Sequence, residues 1–323
     1  MRIVICGGGP AAAESAMAAH RQDAGAEILV LAAEELPPYR RPALSGLLAK
    51  NSSVNEKSFF IRPAGFFADN GIELRTASPV AAVDGGNVLL ADGSREKFDR
   101  LILAAGGRAV RLPLPGADLP HVFTLRTFKD METIRERMAS GVRRGVIIGG
   151  GVLGLEIAES MLSWGIETTV LEAAPRLFPG RLDEAASAAL AERLAAVPGL
   201  HILCGAKVSG ISRDAVFTAD RPELPADLVI MAAGSRPDLA LAESAGILCG
   251  RGVTVDRAMR SSRRDIFAAG DAAELENRCF GLYMDAVNSG RVAGTNAAGG
   301  NEAFTAAVSP VRFNALGEKL VMP

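Results

Sequence analysis

One stretch of this chain occurs twice, and that constrains its fold more than any other feature. VICGGGPAAAESA at residues 4–16 returns as VIIGGGVLGLEIA at residues 146–158. Each copy reads as a buried apolar strand that runs into a glycine turn and out into a helix. Each is followed by a second apolar strand, ILVL at residues 28–31 and TTVL at residues 168–171. Two copies make a duplicated βαβ unit; a stacked repeat array needs more. A glycine turn at a helix start cradles an anion, because the backbone approaches without side chains and the positive end of the helix dipole meets the charge. Gly7, Gly9 and Ala12 supply this in the first copy, with Pro10 and Ala11 opening the helix. Gly149, Gly151 and Gly154 supply it in the second, with Val152 at the helix start, in the order tight turn, close approach and helix packing. The pair predicts two dinucleotide sites, a far more specific signal than one such turn, which also arises for packing alone.

A dinucleotide site of this type also needs a carboxylate at the end of the second strand, to accept the adenosine ribose hydroxyls. Glu172 stands there in the second unit. Its charge also repels a 2′-phosphate, which predicts NADH over NADPH, an inference that nearby Arg176 softens. In the first unit the strand-end position is Ala32, and the nearest carboxylates are Glu34 and Glu35. Glu34 is assigned the role; the competing reading is a solvated loop acid.

At 323 residues, with 49% of them hydrophobic, the chain is long enough for two domains. Thirty-five basic against thirty-seven acidic residues leave a net charge of −2, without the broad basic field that a nucleic-acid binder uses. The four cysteines, Cys6, Cys204, Cys249 and Cys279, form no CxxC pair, which argues against a zinc site and a dithiol centre. MRIVICGGGP has too short an apolar run for a leader peptide, and no stretch is long and apolar enough to span a bilayer. A cytoplasmic protein without nucleic-acid or membrane partners is expected.

Between the copies, residues 72–105 alternate around Asp84-Gly85-Gly86 and Asp92-Gly93, which predicts an antiparallel meander. It closes on FDRLILAAGG at 98–107; ADLVIMAAGSRPD at 226–238 closes the second unit in the same way, each as a parallel strand running into a glycine turn. PLPG at 113–116 marks an extended crossing out of the first domain, and the return lies near Arg236-Pro237. RRDIFAAGDAAE at 263–274 gives a further strand and turn. Residues 284–300 read as a helix with small residues on one face, ended by Gly299 and Gly300.

With these motifs in order, the chain resembles the FAD-dependent pyridine nucleotide oxidoreductases, in their rubredoxin reductase, ferredoxin reductase and nitrite reductase flavoprotein branch. The resemblance is carried by GGGPAA at 7–12, PPYRRPALS at 37–45, TLRT at 124–127, GGGVLGLE at 149–156, AAGSRPD at 232–238 and FAAGD at 267–271, and it covers the whole chain. It implies an α/β fold of two Rossmann-like, three-layer domains, the NAD domain inserted in the FAD domain. The FAD domain would comprise residues 1–113 and 238–306, the NAD(H) domain 114–237, and 307–323 would begin a truncated C-terminal interface domain. It further implies FAD contacts at Val80, Ala105, Gly106, Arg126, Gly270 and Asp271, with Asp271 on the ribityl chain and Arg41 near the phosphates. Gly234 joins the NADH site, and Glu156 is the catalytic candidate beside nicotinamide and flavin. The bland alternatives are a helix N-cap for Asp271, surface salt bridges for the two arginines and a helix-surface acid for Glu156.

Two departures refine this. Relatives that reduce disulfides or peroxides carry a redox cysteine where this chain has Ser45 and Gly46, and ferredoxin reductases often carry a lysine where Gly46 stands. Thiol chemistry is disfavoured, and kinship to the rubredoxin or nitrite reductase type follows. The second departure is length: the chain stops at VRFNALGEKLVMP, so the tail is expected to pair with another chain or to leave an apolar strand exposed. Cys6 and the two tyrosines, Tyr39 and Tyr283, read as packing as readily as function, Cys279 as a loop thiol, and none of the three histidines adjoins a motif. The expected function is an NADH oxidoreductase that passes hydride to FAD and electrons on to a small redox protein, rubredoxin-like or iron–sulfur. The alternatives are an oxidase that uses oxygen and a flavin-binding redox sensor or non-catalytic complex subunit. Self-association is left open.

Overall fold

The computed structural model describes residues 1–305 and 309–323. The described residues cluster into two compact units, each threaded by more than one segment of the chain. The boundary expected at 306/307 lies outside the described residues.

The first unit comprises Met1–Arg41, Asn55–Arg108 and Ser235–Ser309. Its main sheet runs Ile266–Ala268, Arg100–Leu103, Arg2–Cys6, Glu27–Leu31, Ile72–Arg75, and every neighbouring pair is parallel. The inner strands RIVIC and EILVL are apolar runs buried at all but their first residue, as a parallel sheet covered on both faces requires. A second sheet of three antiparallel strands, Val80–Asp84, Asn87–Leu90 and Arg95–Lys97, turns at Gly85 (φ +60°) and Gly93 (φ +87°), the two expected hairpin positions. The expected meander was too long at its start, because Ile72–Arg75 joins the parallel sheet instead. As an edge strand it buries only Ile72, so its sequence lacks the continuous apolar run of the inner strands.

Helix Tyr283–Ala297 crosses helix Pro10–Gln22 at backbone distance. A Cβ on Gly290 would fall 2.4 Å from the Ala11 carbonyl oxygen, and one on Gly294 would fall 2.1 Å from that of Ser15. The Ser15 hydroxyl donates back to the Gly290 carbonyl at 2.9 Å. The small residues noted in this helix are therefore the surface on which the first glycine-turn helix lies.

The second unit comprises Pro42–Val54, Ala109–Gly234 and Pro310–Pro323. Its parallel sheet runs Leu200–Cys204, Glu167–Glu172, Arg144–Ile148, Leu228–Met231, Val122–Thr124. Three short antiparallel strands, Val208–Ile211, Ala215–Thr218 and Leu224–Pro225, form a second layer. Helix Phe128–Ala139 opens with a capping box in which Thr127 and Asp130 satisfy each other's backbone N–H groups.

The tail folds on its own chain, and its second strand leaves Val321 66% exposed. Val311–Ala315 and Glu318–Met322 pair with each other as an antiparallel hairpin, and the first strand alternates buried and exposed so that Val311, Phe313 and Ala315 turn inward. Phe313 is 1% exposed and packs on Phe178. The period of two in VRFNA is what buries one face of so short a strand.

Candidate functional site

In the first unit the turn between Arg2–Cys6 and Pro10–Gln22 leaves no room for a side chain at Gly7 or Gly8. Gly7 has φ +152°, and a Cβ there would lie 2.2 Å from the Ala104 carbonyl oxygen. Gly8 fits against Ala32, whose Cβ would be 2.9 Å from one on Gly8. Gly9 is the N-cap, and no side chain caps the helix, so its first N–H groups face the turn with Pro10 at the head. The atom nearest to the space a Gly9 Cβ would take is the Arg41 Nε, at 3.8 Å.

Arg41 donates to Glu34 at 2.8 Å, and the Tyr39 hydroxyl donates to the other Glu34 oxygen at 2.6 Å. Tyr39 is 1% exposed and stacks on Phe59 with ring centroids 4.8 Å apart. Glu34 and Arg41 thus share one cluster beside the glycine turn. Gly270 (φ +67°) closes on the same place: its N–H donates to the Ser289 hydroxyl at 2.9 Å, and a Cβ on it would lie 2.9 Å from the Ala11 Cβ. Asp271 follows within the single 3-10 turn Gly270–Ala272, whose N-cap is Ala269, so Asp271 is not an N-cap. Ala105 and Gly106 (φ +76°) follow strand Arg100–Leu103 beside Ala104, against which Gly7 turns, and Ala12 is fully buried under the turn. Val80 begins the antiparallel sheet and packs on the core.

The second unit repeats the arrangement. Gly149 has φ +119°, and a Cβ on it would lie 2.4 Å from the Ala232 carbonyl oxygen; one on Gly154 would lie 1.9 Å from that of Gly149. Gly151 is an N-cap without a side-chain cap, Val152 begins the helix, and nothing lies within 4 Å of a Cβ on Gly151. Two backbone N–H groups hold the strand-end carboxylate: Gly150 donates to Glu172 Oε2 at 2.8 Å and Ala174 to Oε1 at 2.7 Å. A cavity of about 460 Å³ opens here, lined by Gly150, Gly151 and Glu172 and by residues 178–181. The Arg176 guanidinium donates to the carbonyls of Leu182 (2.6 Å) and Pro179 (3.1 Å), so it staples its own loop. The cation that lines the cavity is Arg181, which no sequence motif marks. Gly234 (φ +90°) accepts from the Val110 N–H at 2.9 Å, and the Arg126 backbone N–H donates to Asp130 at 2.9 Å, just ahead of the capping box.

Glu156 lies one turn into helix Val152–Ser163, and its carboxyl accepts from the Ser45 hydroxyl at 2.7 Å. Ser45 sits on the short helix Ala43–Leu47, whose carbonyl end is pinned from two other helices. Ser160 donates to the Ser45 carbonyl at 2.7 Å, Trp164 to that of Leu48 at 2.8 Å and Arg135 to that of Leu47 at 2.7 Å. Burial holds the Glu156 carboxyl above its ordinary range, with the Ser45 hydrogen bond opposing and the Glu159 charge adding. In sequence Ser45 stood out only as a residue that is not cysteine; its partner lies 111 positions away, beyond any local pattern.

A raised carboxyl keeps its proton in the folded chain after the unfolded chain has lost it. Glu156 therefore subtracts stability as pH climbs past its ordinary 4.5, until the folded carboxyl also ionises. Glu156→Gln is expected to remove this slope. Urea unfolding of both proteins across that interval should show the variant gaining on the parent as pH rises, and a constant gap would refute the burial argument.

None of the described thiols is activated. Burial pushes Cys6 up to about 12 and also raises Cys204, Cys249 and Cys279. Cys279 is half-buried in a two-residue strand, not in a loop. Among the described residues no cluster has metal-ligand geometry, and no helix is long and apolar enough to cross a membrane.

Comparison with known proteins agrees with this geometry. Residues 1–295 match the family model described as pyridine nucleotide-disulphide oxidoreductase. The chain is 30% identical over 326 residues to a rubredoxin-NAD(+) reductase of Ectopseudomonas oleovorans, covering 97% of this chain and 83% of that one. It is 33% identical over 298 residues to a nitrite reductase [NAD(P)H] large subunit of Klebsiella oxytoca, of which it spans only 31%. Among solved structures, NADH:rubredoxin oxidoreductase from Clostridium acetobutylicum superposes with a TM-score of 0.83 at 27% identity, over 99% of this chain and 81% of the other. Two glycine-turn units on parallel sheets, matched along nearly the whole chain, leave one conclusion: this chain belongs to the pyridine nucleotide-disulphide oxidoreductase family.

Proposed function

We propose that this chain is an NADH-dependent flavin oxidoreductase that holds FAD at the first glycine turn and NADH at the second, and passes electrons to a small redox protein. The carrying observation is the pair of uncapped helix starts, each reached through glycines whose Cβ atoms would strike neighbouring backbone carbonyls. Such cradles suit a pyrophosphate, which takes the helix-end N–H groups that no side chain occupies. FAD, when bound, supplies the chemistry: it takes two electrons from a nicotinamide hydride and can give them up singly.

The chain's own residues position and select. In the first unit Gly7, Gly9, Pro10, Ala11 and Ala12 form the cradle, with Arg41 over it and Glu34, Gly270 and Asp271 around it; Val80, Ala105 and Gly106 are the outer contacts proposed there, and Arg126, a residue of the second unit, is the further FAD contact proposed. In the second unit Gly149, Gly151, Val152 and Gly154 form the cradle and Gly234 flanks it. Glu172, oriented by two backbone N–H groups, meets the adenosine ribose. Because Arg176 is committed to its own loop and the Arg181 guanidinium to the Pro323 carbonyl, Glu172 sets the preference for NADH over NADPH. The Glu156 carboxyl, desolvated and held by Ser45, is the acid proposed for the nicotinamide end, its burial favouring the protonated form.

Kinship with proteins named for rubredoxin and nitrite reduction supports this choice of acceptor, as do the raised thiols of the described cysteines. Anaerobic mixing of the flavin-loaded protein with NADH is expected to bleach the flavin absorbance, and NADPH to do so far more slowly. Unchanged absorbance with NADH would end this reading. Rapid steady oxygen uptake, with oxidised rubredoxin-type acceptors left unreduced, would replace the acceptor by oxygen.

A further inference from the structure

We infer that the C-terminal hairpin is the buttress of the nicotinamide-nucleotide pocket and that Phe313 is a positioning residue for it; the inference rests on the second glycine turn holding NADH. Besides the glycine turn and Glu172, the pocket is walled by residues 178–181. That wall begins at Phe178, which adopts φ +49°, the left-handed region where a residue with a Cβ is strained. Such a conformation persists only where the surroundings over-determine it. Phe178 is 8% exposed, and the ring packed on it is Phe313, centroid to centroid 5.8 Å.

The same hairpin grips two elements next to the pocket. At the wall, the Arg181 guanidinium donates to the Pro323 carbonyl, which turns the cation lining the pocket toward the hairpin. At the helix Val152–Ser163 that Gly151 caps, the Leu316 N–H donates to Glu159 Oε1 at 2.7 Å. Glu318 pairs with Arg193 at 2.8 Å and ties the hairpin to helix Glu184–Ala195, which follows the wall in the chain. The hairpin is therefore bonded both to the 178–181 segment that lines the pocket and to the helix that follows the glycine turn, the two elements a dinucleotide must fit between on the proposed reading.

The test is titration of NAD+ into the flavin-loaded full chain and its variants. Phe313→Ala is expected to raise the Kd for NAD+, and the KM for NADH, about tenfold, in keeping with the sensitivity of bound ligands to sub-ångström displacement of their supports. Flavin content and kcat at saturating NADH should stay unchanged. Phe313→Leu, which keeps an apolar contact with Phe178, should recover most of the affinity. A purely structural role would lower the melting temperature without splitting KM from kcat. Should Phe313→Ala fail to fold, hydrogen exchange of the parent protein decides: NAD+ is expected to slow amide exchange in residues 311–322 along with the wall, although the hairpin is not proposed to touch the nucleotide. A folded Phe313→Ala variant with parental affinity, or hairpin amides indifferent to NAD+, overturns the inference alone. A parent protein that binds no NAD+ overturns it together with the proposed function.

Discussion

Gly154→Ala is expected to give a protein that keeps its flavin but that NADH no longer reduces at any practical concentration. By helix propensity alone the change should stabilise the chain by about 1 kcal/mol, since alanine is the better helix former. The tertiary term has the opposite sign and wins: the new Cβ would sit 1.9 Å from the Gly149 carbonyl oxygen and 3.4 Å from the Ile147 side chain. Overpacking of this kind costs about 1–3 kcal/mol and is relieved only by moving the helix off the strand. That movement carries the Gly151 end of the helix, where the pyrophosphate is proposed to sit, and an ångström of displacement there costs on the order of a hundredfold in rate.

Gly151→Ala is the informative companion. Nothing lies within 4 Å of its Cβ, so the fold should be untouched while the methyl group stands in the path of the ligand. Loss of NADH reduction in both variants, with a lowered melting temperature only in Gly154→Ala, would separate the packing glycine from the approach glycine. Full NADH reduction by Gly151→Ala would show that the second turn is not where the nucleotide binds.

Gly290→Leu is expected to be more damaging still, and to act on the flavin. Helix Tyr283–Ala297 touches helix Pro10–Gln22 at Gly290, where a Cβ would be 2.4 Å from the Ala11 oxygen and 2.9 Å from its Cα. Backbone is on the other side, so no side chain can rotate away. Leucine must push the two helices apart, breaking the Ser15–Gly290 hydrogen bond and shifting Ala11, against which Gly270 is seated. A loss of at least about 4 kcal/mol, the range reserved for disrupted cores, is expected. It would be read as colourless or insoluble protein and as a melting temperature far below the parent's. A yellow, normally stable Gly290→Leu protein would mean that the helices are not in backbone contact.

The sequence was most legible where the chemistry is local. Both glycine turns, the strands that flank them and the strand-end carboxylate Glu172 lie within short spans whose order fixes their geometry, and a helix start is an anion cradle wherever it occurs. Edge elements were read less well. Ile72–Arg75 lacks the apolar run of an inner parallel strand because solvent takes one of its sides, so it was grouped with the meander that follows. Arg176 and Arg181 illustrate the same limit for charge: spacing placed one near Glu172, but only the fold reveals that the first is spent on carbonyls of its own loop and that the second lines the pocket.

By itself, then, the sequence determined the α/β class, the duplication and the position of each glycine turn, because each of these is a property of residues close together in the chain. Tertiary structure alone decided that Ser45 meets Glu156, that a glycine-faced helix nearly three hundred residues away lies on the first turn's helix, and that the tail folds back as a hairpin on Phe178. The reason is that these contacts depend on shape complementarity between surfaces that exist only once the helices and sheets have packed, and close packing leaves no periodic trace in either partner's sequence.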